Sequence, residues 1–221
     1  MKHPFLSLLF VGGLLAGCTG TGPNDNMLPG KTDSTQAHVK DNDWRTGDSV
    51  VAQMGCIGGK LVSDMFAGDG YYTWKLLDAG ARVIAIDDNP ANIAALEARK
   101  KQSGIGDDRL IIRATTPGNP GLLPNEVDMA LITREYSTLG DRGSWFKQLR
   151  AGIKPPSTFY MVNFLAGETR YGPPLNQRMD YYKVSDELNE FGFTDVGVKY
   201  KGIPYRYLLF ASVVQEVPED H

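Results

Sequence analysis

Segments that read as strands alternate with segments that read as helices along most of this 221-residue chain. Near the C-terminus two strands follow one another with only Lys201-Gly202-Ile203-Pro204 between them. No other feature constrains the fold as much. Alternation implies a parallel sheet with helices on both faces. A parallel crossover needs roughly a dozen residues or more, so Phe193 to Tyr200 and Tyr205 to Val214 are expected as an antiparallel hairpin. The expected class is α/β: a doubly wound, Rossmann-like mixed sheet that ends in that hairpin.

The individual elements follow from periodicity and punctuation. Val50, Met54 and Ile57 share one helical face, and Gly58-Gly59 stops that helix. Leu61 to Phe66 reads as a buried strand, Tyr71 to Asp78 as a helix closed by Gly80, and Arg82 to Ile86 as a second strand. Asn89-Pro90 gives a capping side chain and a proline at the first helical position, for a helix reaching Gln102. Leu110 to Ile112, Val127 to Thr133 and Thr158 to Phe164 read as strands three to five. A helix around Trp145, Phe146 and Leu149 precedes the fifth, and a short helix from Ser185 to Glu190 precedes the hairpin.

Composition excludes several classes. Apolar residues make up 42% and charged residues 22%, which are ordinary globular values. Lys and Arg number 23 against 26 Asp and Glu, so no basic surplus exists to hold a phosphate backbone, and nucleic acid is not an expected partner. The two cysteines cannot make a disulfide framework, and no Cys/His cluster has zinc spacing. The three histidines stand at 3, 38 and 221, so histidine catalysis and a metal site are both disfavoured.

The N-terminus reads as an address. Met1-Lys2-His3-Pro4 is a short basic start, and Phe5 to Leu15 is a mostly apolar run, shorter than the roughly 20 residues that span a bilayer. Leu15-Ala16-Gly17-Cys18 resembles a bacterial lipobox, with Cys18 as the lipidation site. The expected organisation is a lipoprotein signal peptide over 1–17, a flexible tether over 18–43 and a domain over 44–221. The tether is rich in Gly, Pro, Asn, Asp and Thr and poor in apolar residues, and His38 within it carries no expected function. Export follows, with lipid anchoring to the envelope as the only membrane contact. Thr19 after the cysteine favours the outer membrane over the inner.

The segment Val62 to Thr73 carries the chemistry. It runs from strand through Gly68-Asp69-Gly70 into a helix, so bare backbone and free amides face any ligand there. The next strand ends in Asp87, placed to accept ribose hydroxyls; the alternative is that Asp87-Asp88-Asn89 only cap the next helix. Nicotinamide dinucleotides and S-adenosylmethionine both use such turns. Asp64, inside an apolar strand, favours a cationic sulfonium over a pyrophosphate.

Asp64-Met65-Phe66-Ala67-Gly68-Asp69-Gly70 resembles the first motif of the class I S-adenosylmethionine-dependent methyltransferases. The resemblance covers Ser49 to Val214 and extends to Val83-Ile84-Ala85-Ile86-Asp87 and to Val127 to Thr133. It implies a seven-stranded mixed sheet with strand 7 antiparallel and S-adenosylmethionine across the first four strand tips. Asp64 and the Gly68–Gly70 turn would lie near the methionine moiety, Asp87 on the ribose, and Thr115 or Thr116 near adenine. Phe66, Asp88 and Thr133 complete the implied cofactor-binding set. Two departures stand out. Phe66 replaces the first glycine, setting a ring where backbone should meet the cofactor, and Ala114-Thr115 replaces the acid that often contacts adenine. Strand four ends in Thr133-Arg134-Glu135-Tyr136, not the Asn/Asp-Pro-Pro-Tyr/Phe run of amino-methylating enzymes. A small-molecule acceptor is therefore expected.

Transfer would be an in-line displacement in which the protein aligns and desolvates the reactants. An oxygen acceptor wants a base, and Glu135 and Tyr136 are the catalytic candidates, against the alternative of a structural loop. Tyr71, Tyr72, Tyr181 and Tyr182 are candidates for a substrate mouth, and Cys56 is expected as a small buried residue. Export separates the domain from a donor made in the cytoplasm. The alternative to an enzyme is therefore a catalytically degenerate envelope protein that keeps the fold for binding.

Overall fold

The computed structural model describes residues 45–215. The expected signal peptide, Cys18 and the expected tether lie outside the described residues. In chain order the main elements are α1 (Gly47–Gln53), β1 (Leu61–Met65), α2 (Tyr71–Asp78), β2 (Arg82–Asp87), α3 (Pro90–Ser103), β3 (Leu110–Ala114) and β4 (Met129–Ile132). There follow α4 (Arg142–Gly152), β5 (Ser157–Phe164), α5 (Tyr181–Glu190), β6 (Thr194–Lys199) and β7 (Arg206–Val213). The strands form one sheet in the order β3-β2-β1-β4-β5-β7-β6. β1 to β5 are parallel, and β7 lies antiparallel between β5 and β6, as the short connection required.

Each central strand feeds two cores, because successive side chains face opposite ways. In β2, Val83 and Ala85 face the layer formed with Val50, Leu76 and Leu96, while Ile84 and Ile86 face the layer formed with Trp145, Phe146 and Phe193. Helices α1 to α3 cover the first side, α4 and α5 the second. Burying each such valine, leucine or isoleucine side chain contributes about 1.5–3 kcal/mol. No helix of the described residues is long and apolar enough to cross a membrane.

Caps set most boundaries. Asn89 accepts from the Ala91 amide at 2.9 Å and Pro90 opens α3, as the sequence indicates. The last helix begins earlier than expected: Asp180 accepts from the Tyr182 amide at 2.9 Å, so α5 starts at Tyr181. The first helix ends earlier, at Gln53, before Gly55 with φ +80°. Cys56 is exposed, not the buried residue expected, because it follows that break.

Parallel strands point their carboxyl ends the same way, so the residues after β1, β2 and β4 meet at one edge. β7 runs the other way, and its first residue, Arg206, pairs with Phe164, the last of β5.

Candidate functional site

The turn after β1 is a left-handed cradle. Phe66, Gly68 and Gly70 have φ of +60°, +57° and +78°. At Gly70 a Cβ would stand 2.7 Å from Leu96 Cδ2 and 3.0 Å from Trp74 Nε1, so glycine is required there. At Gly68 an added Cβ would meet only the Phe66 carbonyl oxygen, at 3.8 Å, which leaves its backbone open. The Ala67 amide donates to the Ile86 carbonyl at 3.0 Å and the Gly68 amide to Asp87 Oδ2 at 2.8 Å, locking the turn to the tip of β2.

Three carboxylates surround this turn. Asp87 is buried, and its Oδ1 also accepts from the Asn89 amide at 2.8 Å and Asn92 Nδ2 at 3.0 Å. Both roles weighed for Asp87 therefore meet here: it organises the next helix start, and one of its roughly four lone-pair sites stays unfilled. Asp64 is fully buried; its Oδ2 accepts from Thr73 Oγ1 at 2.6 Å, while Oδ1 has no hydrogen-bond partner. Burial, reinforced by the charge of Asp87, pushes its carboxyl up to about 7, against the pull of the Thr73 hydroxyl. Asp69 is the exposed member and pairs with Arg45 at 2.7 Å.

Beside the turn lies a cleft of about 180 Å³, lined by Gly68, Tyr71, Tyr72, Thr133, Glu135, Phe164 and Arg206 among others. Thr133 Oγ1 donates toward the carbonyls of Met65 and Phe66 at 3.2 and 3.1 Å, tying β4 to the turn. Glu135 accepts from the Phe164 amide at 3.2 Å. Burial pushes its carboxyl up to about 7, although that amide and the charges of Arg178 and Arg206 pull it down. Arg206 is buried and donates to Tyr72 Oη at 2.9 Å and to the Arg45 carbonyl. It thereby fastens the entry to α1 over the cleft.

Phe66 also lines the cleft. The ring stacks on Trp145 with centroids 5.9 Å apart, and the Arg134 guanidinium carbon lies 3.8 Å above its centroid. Arg134 also holds Asp88 through two bonds of 2.8 Å, which keep that carboxyl below its usual range. The pair crosses from the tip of β4 to the tip of β2, over β1.

The structure brings together Asp64, Phe66, Gly68, Gly70, Asp87, Asp88, Thr133 and Glu135 at this edge. Tyr136 is removed from the site: it is fully buried, and its hydroxyl donates to Glu187 Oε2 at 2.8 Å. The chain turns inward after Glu135 because the Asn163 side chain accepts from the Tyr136 amide at 2.9 Å. Thr115 meets the same edge through its amide, which donates to the Asp87 carbonyl at 3.0 Å, while Thr115 and Thr116 line an open depression of about 650 Å³ next to it and Thr115 Oγ1 donates to the Asn119 carbonyl at 2.9 Å. Tyr71 and Tyr72 line the cleft; Tyr181 and Tyr182 stack on each other at the start of α5 and do not. Sequence reasoning missed Arg45, Arg134, Phe164 and Arg206. Arg206 had a signal, a charge opening an apolar run, and Arg134 stands two positions past the end of β4.

The residues fit a cationic adenosyl ligand at its amino-acid end. Asp64 brings a buried carboxylate oxygen that lacks a partner, and Gly68 brings open backbone. The volume of the cleft falls below the roughly 300 Å³ of small-ligand sites, and the Arg134–Asp88 pair stands beside it, against the ring of Phe66, which lines it. Among the described residues no group of three or more His, Cys, Asp or Glu side chains is set to hold a metal.

No protein-family profile matches the chain. It is 33% identical over 69 residues to a tRNA U34 carboxymethyltransferase of Cellvibrio japonicus, covering 29% of this chain and 21% of that protein. It is 29% identical over 119 residues to a ubiquinone biosynthesis O-methyltransferase of Bradyrhizobium diazoefficiens, covering 53% of this chain and 45% of that one. The matched stretch thus spans between a fifth and a half of these curated relatives. Among solved structures, a SAM-dependent methyltransferase from Aquifex aeolicus superposes with a TM-score of 0.69 at 21% identity, over 76% of this chain and 89% of that one. The Burkholderia thailandensis 1,6-didemethyltoxoflavin-N1-methyltransferase, solved with S-adenosylhomocysteine, gives 0.59 at 18% identity over 78% and 80%. The chain has the seven-stranded Rossmann-like fold of S-adenosylmethionine-dependent methyltransferases, with strand 7 antiparallel.

Proposed function

We propose that this chain is an S-adenosylmethionine-dependent methyltransferase acting on a small-molecule hydroxyl acceptor. The observation that carries the reading is the left-handed Gly68–Gly70 turn bonded to Asp87, on a sheet that superposes on a SAM-dependent methyltransferase from Aquifex aeolicus. When bound, S-adenosylmethionine supplies an electrophilic methyl group on a sulfonium. The chain's own residues bind and align. Asp64 sets its unpartnered carboxyl oxygen beside the turn, Asp69 is held there by Arg45, and Asp87 offers its remaining lone pair to a ribose hydroxyl. Glu135, poised near neutrality inside the cleft, takes the acceptor's proton. Tyr71, Tyr72 and Phe164 give that cleft aromatic walls suited to a planar acceptor. The overall charge of −3 offers nothing to a polyanion such as tRNA, and the O-methyltransferase relative matches more of the chain than the tRNA enzyme does.

Export and anchoring through Cys18 are part of the same proposal, on the lipobox spacing alone. Calorimetric titration of the domain with S-adenosylmethionine and S-adenosylhomocysteine tests the cofactor. Saturable one-to-one binding of either supports the reading, and no heat at millimolar ligand ends it.

A further inference from the structure

The Phe66 departure and the Arg134–Asp88 pair occupy the same place. Phe66 follows β1, Arg134 follows β4 and Asp88 follows β2, and β1 lies between the other two strands in the sheet. Adjacent strands are about 4.8 Å apart, so the pair bridges roughly twice that span. Beneath the bridge is the one ring that interrupts the glycine pattern of the cradle. A guanidinium is planar, and 3.8 Å from the ring centroid is the separation at which flat groups stack. A purine makes the same kind of contact with a phenyl face.

We propose that Arg134 and Asp88 form a latch across the nucleoside end of the cleft, with the guanidinium holding on Phe66 the position that an adenine base takes when the latch opens. The inference rests on the cofactor reading above and adds a specific cost to it. The bidentate geometry and the packing against Phe66 keep the closed arrangement populated. Both partners are partly exposed, with side-chain accessibilities of 35% and 12%, so salt weakens the pair without abolishing it. Phe66 is anchored from behind by the buried Trp145, so the platform stays in place while the guanidinium swings off it. The ring thus replaces backbone contact with stacking, which explains how an aromatic residue stands at a glycine position without abolishing the site.

The test is titration of S-adenosylhomocysteine into the wild-type domain and the Arg134→Gln, Asp88→Asn and Phe66→Leu variants, at low and high potassium chloride. Opening the latch by either Arg134→Gln or Asp88→Asn is expected to tighten binding about fivefold at low salt. Added salt is expected to tighten the wild type and leave both variants unmoved. Phe66→Leu is expected to weaken binding at least about fivefold by removing the stacking face. If the wild type binds and neither latch variant binds more tightly at low salt, the latch is wrong and the cofactor reading stands. If no form binds at millimolar ligand, both fall together. A far-ultraviolet spectrum and melting curve of each variant show that it is folded.

Discussion

The Gly68 amide points at the carboxylate of Asp87 across 2.8 Å, joining the tip of one strand to the turn that follows its neighbour. That bond makes the ligand cradle and the ribose-facing acid one unit. Asp87→Ala strands two backbone amides and is expected to cost about 2–4 kcal/mol of stability. It also removes any rise in melting temperature given by S-adenosylhomocysteine. Asp87→Asn keeps the size and part of the hydrogen bonding, melts closer to wild type, and still loses most of the ligand-induced rise. A full ligand response in the Asn variant contradicts the role assigned to the carboxylate.

The two turn glycines are not equivalent. Gly70→Ala combines a left-handed backbone with a clash against Leu96, and is expected to destabilise by about 2–4 kcal/mol. Gly68→Ala meets open space and is expected to cost only about 1 kcal/mol, mostly backbone strain. Urea unfolding of both variants reads the difference, and equal losses count against this account of the turn.

The contribution of two buried carboxyls to stability should fall as pH rises from about 4 to about 7. Asp64 and Glu135 are both pushed up to about 7 by burial, so the folded chain holds protons that the unfolded chain releases near pH 4. Their contribution is complete below the unfolded values and is lost as pH climbs to about 7, beyond which it is flat. Asp64→Asn removes part of this slope. Comparing unfolding free energies at about pH 5 and about pH 8 checks it, and an unchanged slope in the variant shows that Asp64 does not titrate there.

Glu135→Gln should separate binding from chemistry. It is expected to leave S-adenosylhomocysteine affinity within about twofold, while lowering methyl transfer to a hydroxyl acceptor by about a hundredfold or more. Transfer assays over a panel of phenolic and hydroxy-acid acceptors supply the readout. Undiminished turnover removes Glu135 as the base.

Cys18→Ser should release the full-length protein from the membrane fraction of the expressing cell. Retention of the variant in that fraction counts against lipid anchoring.

The sheet was legible because period and punctuation act locally. Glycine, proline and the brevity of the 201–204 connection each decide a structure within a few residues. The glycine cradle was legible for the same reason. The latch was not, since Asp88 and Arg134 are 46 positions apart and their meeting depends on strand order. Tyr136 was misjudged because nothing in the run Thr133 to Tyr136 shows that Asn163 and Glu187 draw the last residue inward. Glu135, next to it, stays in the cleft. The inward turn of the short helical segment Tyr136–Thr138 parts the two neighbours.

A parallel β7 would bring its final residue to the ligand edge; running the opposite way, it brings its first. Arg206 reaches Tyr72 and the entry to α1 only for that reason. Side chains alternate along a strand, so losing one residue from the bend before it would swing the guanidinium to the far side of the sheet. The length of a surface bend, remote from any reacting atom, therefore determines whether this wall of the cleft carries a positive charge.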